Sequence, residues 1–240
     1  MKARIGILTV LCTILSCTSA SKSANESTTE KQNREVGKFQ KIQLNSGIDA
    51  YFTQEQSQSV RIETENVDVN EVVTEVKNGT LVIELKSNWS GGWKNRSIKA
   101  YISAPVLEGI DMSGGSDFYS DNLKSANFNM STSGGADVKI GNLTVDNAIN
   151  ISTSGGSDYT IKNLKATNCN VNASGGSDLA MGVDISGKLS ISTSGASDIK
   201  LSGTANSVWI TASGAADVDV RNLKYNQIDS KASGGSDVRK

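Results

Sequence analysis

At 240 residues the chain has room for one domain of ordinary size plus processing segments. Its 24 Lys and Arg against 25 Asp and Glu leave a net charge of −1, which removes any general electrostatic case for nucleic acid or acidic lipid as a partner. Histidine is absent, so a Ser-His-Asp or Cys-His centre and any imidazole-bound metal are excluded; three cysteines make no disulfide framework, and a single proline does not suggest a disordered linker.

The first seventeen residues read as an export signal. Lys2 and Arg4 precede a mostly apolar run, Ile5 to Leu15, that is too short to span a bilayer. Ile14-Leu15-Ser16-Cys17 then resembles a bacterial lipobox, in which the cysteine is acylated and becomes the first mature residue; leucine stands one place later than in that pattern. Cleavage by ordinary signal peptidase after Thr18-Ser19-Ala20 is the other reading, and both routes deliver the protein outside the cytoplasm. Residues 18–36 are polar and aperiodic, the composition of a flexible tether.

Residues 37–106 are β in character. FQKIQL, GIDAYFTQ, SVRIETE, TLVIELK and SIKAYIS alternate or are rich in strand formers, and Asn78-Gly79 is a type I′ hairpin signal. With Pro105 marking the passage into the next segment, these residues are expected to form an N-terminal β cap that hides the open edge of the repeats at 107–240.

From residue 113 one pentapeptide recurs seven times: SGGSD at 113, SGGAD at 133, SGGSD at 154 and 174, SGASD at 194, SGAAD at 213 and SGGSD at 233, with steps of 19 to 21 residues. Twelve of the 23 glycines lie inside these motifs. A fixed period near 20 means stacked, nearly identical units. After each aspartate the first and third residues are mostly apolar, as in Val138 and Ile140 or Ile199 and Leu201, and a second alternating run precedes each motif, as in Ile149-Ile151-Thr153. Period two over five or six residues is a strand with one buried face, so each repeat is read as two short strands and two corners.

The first motif glycine is present in every copy (Gly114, Gly134, Gly155, Gly175, Gly195, Gly214, Gly234), while the second becomes Ala196 and Ala215. The first position is therefore expected to need positive φ or no Cβ. The second corner is placed after Leu123, Leu143, Leu164 and Leu223 and is expected to absorb all variation in repeat length. Stacking in register about 4.8 Å apart gives residues 107–240 as an all-β, right-handed parallel β-helix, roughly 30 Å tall.

The ordered set GIDAYFTQ, SVRIETE, GTLVIEL and IKAYISAP, followed by serial SG(G/A)xD repeats, resembles the putative auto-transporter adhesin, head GIN domain family of Bacteroidetes, from about residue 37 onward. The resemblance implies an exported β-helix like the pectin-lyase fold, no catalytic residues, no cofactor, and a role in cell adhesion. It also implies that the glycine motif makes the tight turn between sheets. The partner it implies is a cell-surface or extracellular ligand, with membrane attachment only through a lipid on Cys17. With no translocator barrel within these residues self-secretion is not expected, and because the last rung stops three residues past Asp237 self-association through that edge is a further expectation.

Four features carry candidate chemistry. The first is a column of aspartates: Asp117, Asp137, Asp158, Asp178, Asp198, Asp217 and Asp237. Neighbours at about 4.8 Å repel by roughly 0.9 kcal/mol in bulk water, so either each carboxylate accepts an N–H of its own corner or Ca²⁺ bridges rungs. The second is paired-carboxylate catalysis, which seven near-equivalent acids do not favour, because a general acid and a base need different surroundings. The third is Trp89 and Trp93, in a glycine-broken loop: they stack on sugar rings or pack on the cap. The fourth is an outward array of Ser, Thr and Asn, which binds an extended polymer or ice, or is simply solvated. Cys169 takes an inward position and reads as a small core residue.

Overall fold

A computed structural model describes residues 28–86 and 95–240. Cys17, Trp89 and Trp93 lie outside the described residues.

The repeats form a parallel β-solenoid. Strand β11 (Val138–Thr153) pairs in parallel with β12 (Asp158–Ala173), β12 with β13 (Asp178–Thr193), β13 with β14 (Asp198–Ala212) and β14 with β15 (Asp217–Ala232), which carries β16 (Asp237–Arg239) on its outer edge. Below β11 the turn is split into β9 (Asp117–Ser125), β10 (Phe128–Thr132) and β8 (Gly109–Met112), again all parallel. Inward residues stack on their own kind: Ile149 pairs with Cys169 and Cys169 with Leu189, all buried. Burial also pushes the Cys169 thiol up to about 12, which leaves it an inert filler.

Each turn contains three inward runs, not two. In β11 the pairs Val138/Ile140, Leu143/Val145 and Ile149/Ile151 are buried, and consecutive outward-leaning residues at Gly141-Asn142 and at Asp146-Asn147 break the alternation between them. The bend thus precedes Leu143, where the sequence placed it after, and a second bend comes later in the turn. Variation in repeat length is shared between these bends. The pairing offset falls from 21 residues at Val145↔Ala166 to 20 at Ala148↔Asn168, and from 20 at Ile161↔Met181 to 19 at Leu164↔Val183. Alternation alone cannot reveal such a bend, because the pattern simply restarts one residue out of phase.

The N-terminal segment is partly solenoid and partly cap. Strand β2 (Lys41–Leu44) lies parallel to β8, and β3 (Asp49–Gln54) lies parallel to β9. Residues 45–49, Asn-Ser-Gly-Ile-Asp, consequently face Ser113–Asp117 and form an eighth, degenerate copy of the corner, with positive φ at Ser46 and Gly47. One level lower, β6 (Thr80–Leu85) pairs in parallel with β2, and β7 (Ser97–Ala104) with β3. The cap proper is antiparallel: β5 (Val72–Lys77) on β6, β4 (Ser59–Glu65) on β7, and β1 (Thr29–Asn33) on β4.

Strand β1 corrects the expectation of a tether running to residue 36. TEKQN has no apolar pattern of its own; it is ordered by the β4 ladder and by Lys31 meeting Glu63 at 3.0 Å. Arg34 then anchors the chain through Val69 O at 2.6 Å. A short, fully exposed and charged edge strand is a poor template for further pairing.

Candidate functional site

The glycine corner positions everything on the adjoining outer face. At Gly155 and Gly175 φ is +87° and +84°, and a Cβ would stand 2.5 and 2.6 Å from the carbonyl oxygen of the motif glycine one turn below. Only glycine tolerates both that backbone and that approach. A Cβ at the second position, Gly156 or Gly176, would meet nothing within 4 Å, which is why Ala196 and Ala215 fit there. The fourth position turns inward: Ser157, Ser177 and Ser197 are fully buried, and Ala136 and Ala216 replace serine without leaving a polar atom. Ser177 Oγ donates to Ser174 O at 3.1 Å and touches Thr153 Oγ1 at 3.1 Å. Thr132 donates to Thr153 and receives the Tyr159 hydroxyl at 2.9 Å. A buried polar seam therefore lines the inside of the corner.

Outside the corner the aspartates stand in one file. Register pairs Asp158 with Asp178, Asp178 with Asp198, Asp198 with Asp217 and Asp217 with Asp237, and Asp49 with Asp117 at the lower end. Asp49 is an eighth member that the seven-copy motif does not contain. The carboxylates do not cap their own corners. Asp117 Oδ1 accepts the backbone N–H of Asp137 on the next turn at 3.1 Å, and Asp137 accepts that of Asp158. Cations accompany the lower and the upper members: Lys99 beside Asp49 at the base, Lys139 3.7 Å from Asp137, and Arg239 bridging Asp217 at 2.9 Å and Asp237 at 3.0 Å.

Among the described residues, Asp158, Asp178 and Asp198 have no ion-pair partner and are solvated. Burial raises the Asp137 carboxyl, with Asp117 and Asp158 adding to the effect against Lys139; burial and Asp117 likewise raise Asp49 against Lys99. No three acidic, cysteine or histidine side chains converge as a metal cage among the described residues. A file of single carboxylates, one per turn, offers a cation fewer oxygens than hard ions take.

Two residues after the lower members of the file stands an aromatic column. Tyr51 stacks on Tyr101 at 5.2 Å and on Tyr119 at 5.0 Å, Arg61 covers the outer face of Tyr101 at 4.6 Å, and Lys139 lies 5.6 Å from the Tyr119 ring. Tyr119 Oη donates to Asp117 Oδ2 at 3.0 Å. Ring faces are thus spent on one another and on cations, worth about 1 kcal/mol per pair. Sequence reasoning missed this column; the signal was the D-x-Y spacing shared by Asp49-Ala50-Tyr51 and Asp117-Phe118-Tyr119. The strands flanking Trp89 and Trp93 are not a hairpin, since β6 pairs with β2 and β5 and β7 with β3 and β4.

Comparison with solved structures gives the same architecture. A Bacteroides fragilis protein described as a "putative adhesin" superposes with a TM-score of 0.75 at 19% identity, over 88% of this chain and 96% of that one. A "putative adhesin" from Parabacteroides merdae gives 0.66 at 15% identity, over 90% and 96%. A Parabacteroides distasonis protein described as a "putative lipid binding protein" gives 0.63 at 17% identity, over 88% and 96%. At these identities the likeness shows the fold. No curated protein sequence matches the chain. The family model "Putative auto-transporter adhesin, head GIN domain" matches residues 38–150 and 142–239, from the first solenoid strand to the last turn, and the chain belongs to that family.

Proposed function

We propose that the protein is an exported, non-enzymatic adhesin of the cell envelope, lipid-anchored through Cys17, that displays the side of its solenoid to a cell-surface or extracellular ligand. The observation that carries this reading is the register of the turns: equivalent outward residues fall in straight columns over six or more levels, giving a rigid, repeated surface rather than a pocket. Family membership supports adhesion.

The test has two arms. Beads coated with purified protein are scored for attachment to host cells and extracellular matrix, and attachment no greater than to albumin-coated beads sinks the reading. Palmitate labelling of wild type and Cys17→Ala in the producing bacterium examines the anchor; equal labelling of both would place the lipid elsewhere.

A further inference from the structure

The three inward runs of each turn have three outer faces, and they differ in charge. The face after the glycine corner carries the aspartate file with Lys139, Lys162, Lys200, Asp219 and Arg221. The next carries Lys124, Asp146, Lys165, Asp184 and Lys224. The face before the corner is different. Register places Asn129, Asn150, Asn170, Ser190 and Trp209 in one column and Ser131, Ser152, Asn172, Ser192 and Thr211 in the column beside it. None of these ten side chains is ionisable. The surface between Lys41 and Asp111 below and Asp229 and Lys231 above is neutral over five successive turns, with Lys188 on its flank.

The amides of this face are held in place. Asn150 Nδ2 donates to Asn129 Oδ1 at 2.9 Å, and Asn170 Nδ2 donates to Asn150 Oδ1 at 3.0 Å. Asn150 uses one N–H and one lone pair along the column and keeps one of each for a ligand, while Asn129 spends only a lone pair and Asn170 only an N–H. Rotamer freedom has already been lost in the free protein, so a ligand bonding here does not have to order these side chains. The lower part of the face is a shallow groove of about 420 Å³, with Asn129, Ser131, Asn150 and Ser152 along it and Lys41, Gln43, Gly109 and Asp111 at its foot. At the upper end Trp209 is 49% exposed, the most exposed large apolar side chain among the described residues. Lys188 Nζ lies 4.8 Å from its ring centroid and steadies the ring.

We infer that this face is a binding site for an extended, uncharged glycan, running along the solenoid axis with one sugar ring against Trp209 and its hydroxyls on the Asn and Ser columns. A sugar matches the site on three counts. Its hydroxyls both donate and accept, as the free halves of the amides and the serine hydroxyls do. Its axial C–H face suits an indole. Its lack of charge suits a face whose two columns hold no ionisable side chain over five turns. The columns lie on a sheet face whose backbone groups are already paired, so strand addition by a peptide is not available there. Asn129 and Trp209 are four strand spacings apart, about 19 Å, so an oligomer spanning that length engages both while a single sugar does not. This inference deepens the adhesin reading by naming its ligand class and surface.

The test is affinity electrophoresis of the exported chain through native gels containing laminarin, galactomannan or dextran, with polygalacturonate as the charged comparison. Retardation by at least one neutral polymer is expected. Trp209→Ala weakens it about tenfold or more, and Trp209→Phe restores part of it. Ser190→Asp with Ser192→Asp abolishes it by placing charge in the columns. All of these residues are on the outer surface, and unchanged thermal melts confirm that the variants fold. Retardation by polygalacturonate alone, by none of the polymers, or to the same extent in wild type and Trp209→Ala overturns the inference. If coated beads adhere to cells equally with and without Trp209, the adhesin reading stands and this surface is not its ligand site.

Discussion

One turn of the solenoid contains a corner that is held fixed and two bends that are not, and the contrast shows which constraints the repeat obeys. At the glycine corner each of the last four copies makes three backbone hydrogen bonds to the turn below; for the copy at 174 these are Ser174 N to Thr153 O at 3.0 Å, Gly176 N to Gly155 O at 2.8 Å and Asp178 N to Ser157 O at 3.2 Å. The motif keeps five residues in every copy. The bends near Asn142 and Asp146 rest partly on side-chain rungs such as Asn163 to Asn142 at 2.8 Å, and there the register slips by one residue between neighbouring turns. Length varies at the bends, where the ladder shifts between Val145 and Ala148 and between Ile161 and Leu164, and not at the corner.

The largest effect expected from this contrast is at the motif's first glycine. Gly175→Val forces a β-branched residue into φ +84° with its Cβ 2.6 Å from Gly155 O, and a loss of about 3 kcal/mol or more, or no soluble fold, is expected in thermal melts. A one-residue insertion after Gly176 breaks the same ladder and costs about as much. The same insertion after Asp146 enters a bend that already differs by a residue between turns and costs below about 1 kcal/mol. Equal losses from the two insertions would remove the distinction between corner and bend.

The polar seam inside the corner comes next. Tyr159→Phe deletes the buried hydroxyl that donates to Thr132 Oγ1 at 2.9 Å and is expected to cost about 1 kcal/mol in urea unfolding with an unchanged m-value. No change in the midpoint would mean that the seam is tolerated rather than stabilising.

Outside the corner the effect is smaller and has a definite sign. Burial and like-charged neighbours raise the Asp137 and Asp49 carboxyls, so the folded state holds these protons more tightly than the unfolded chain does. Their contribution is present in full below the unfolded value of 3.8 and is lost as pH rises through the raised folded values. The melting temperature is therefore expected to climb modestly as pH falls from 7 toward 4, by less than about 1 kcal/mol of stability given the exposure of the file, and Asp137→Asn should flatten the slope. Asp219 works in the opposite direction: its Arg221 hydrogen bonds hold it down to about 2, so its contribution is lost only as pH falls from about 4 through that value. The two trends occupy different windows.

The fold was legible because its signals are local. A pentapeptide at a fixed period and alternation within each run need no tertiary information, and the first glycine could be told from the second by Ala196 and Ala215 alone. What escaped depends on partners. The corner copy at 45–49 is separated from the others by strands β4 to β7, between Ser59 and Ala104, which hide the period. Strand β1 is ordered by β4 and not by its own residues. The tyrosine column and the Trp209 row exist only once register sets one turn above another, because Tyr51, Tyr101 and Tyr119 carry no signal singly. The aspartate file was visible in sequence, but the destination of its hydrogen bonds, one turn away, was not.

The smallest expected effect makes the finest comparison, because it separates two glycines at the same place in the motif. Gly176 has no positive φ and an added Cβ would meet nothing within 4 Å, so Gly176→Ala mainly narrows the unfolded chain's freedom and should raise stability by about 0.5 kcal/mol. Gly115, its counterpart in the first copy, sits at φ +83°, where alanine must enter the left-handed region, and Gly115→Ala should lower stability by about 1 kcal/mol. That first corner stacks on the degenerate Ser46-Gly47 turn rather than on a full glycine motif, and it takes a different backbone path to do so. Opposite signs in paired melts would trace the exception to the junction of cap and repeat; equal signs would mean that the corner's backbone is the same in all copies and that its second glycine is dispensable throughout.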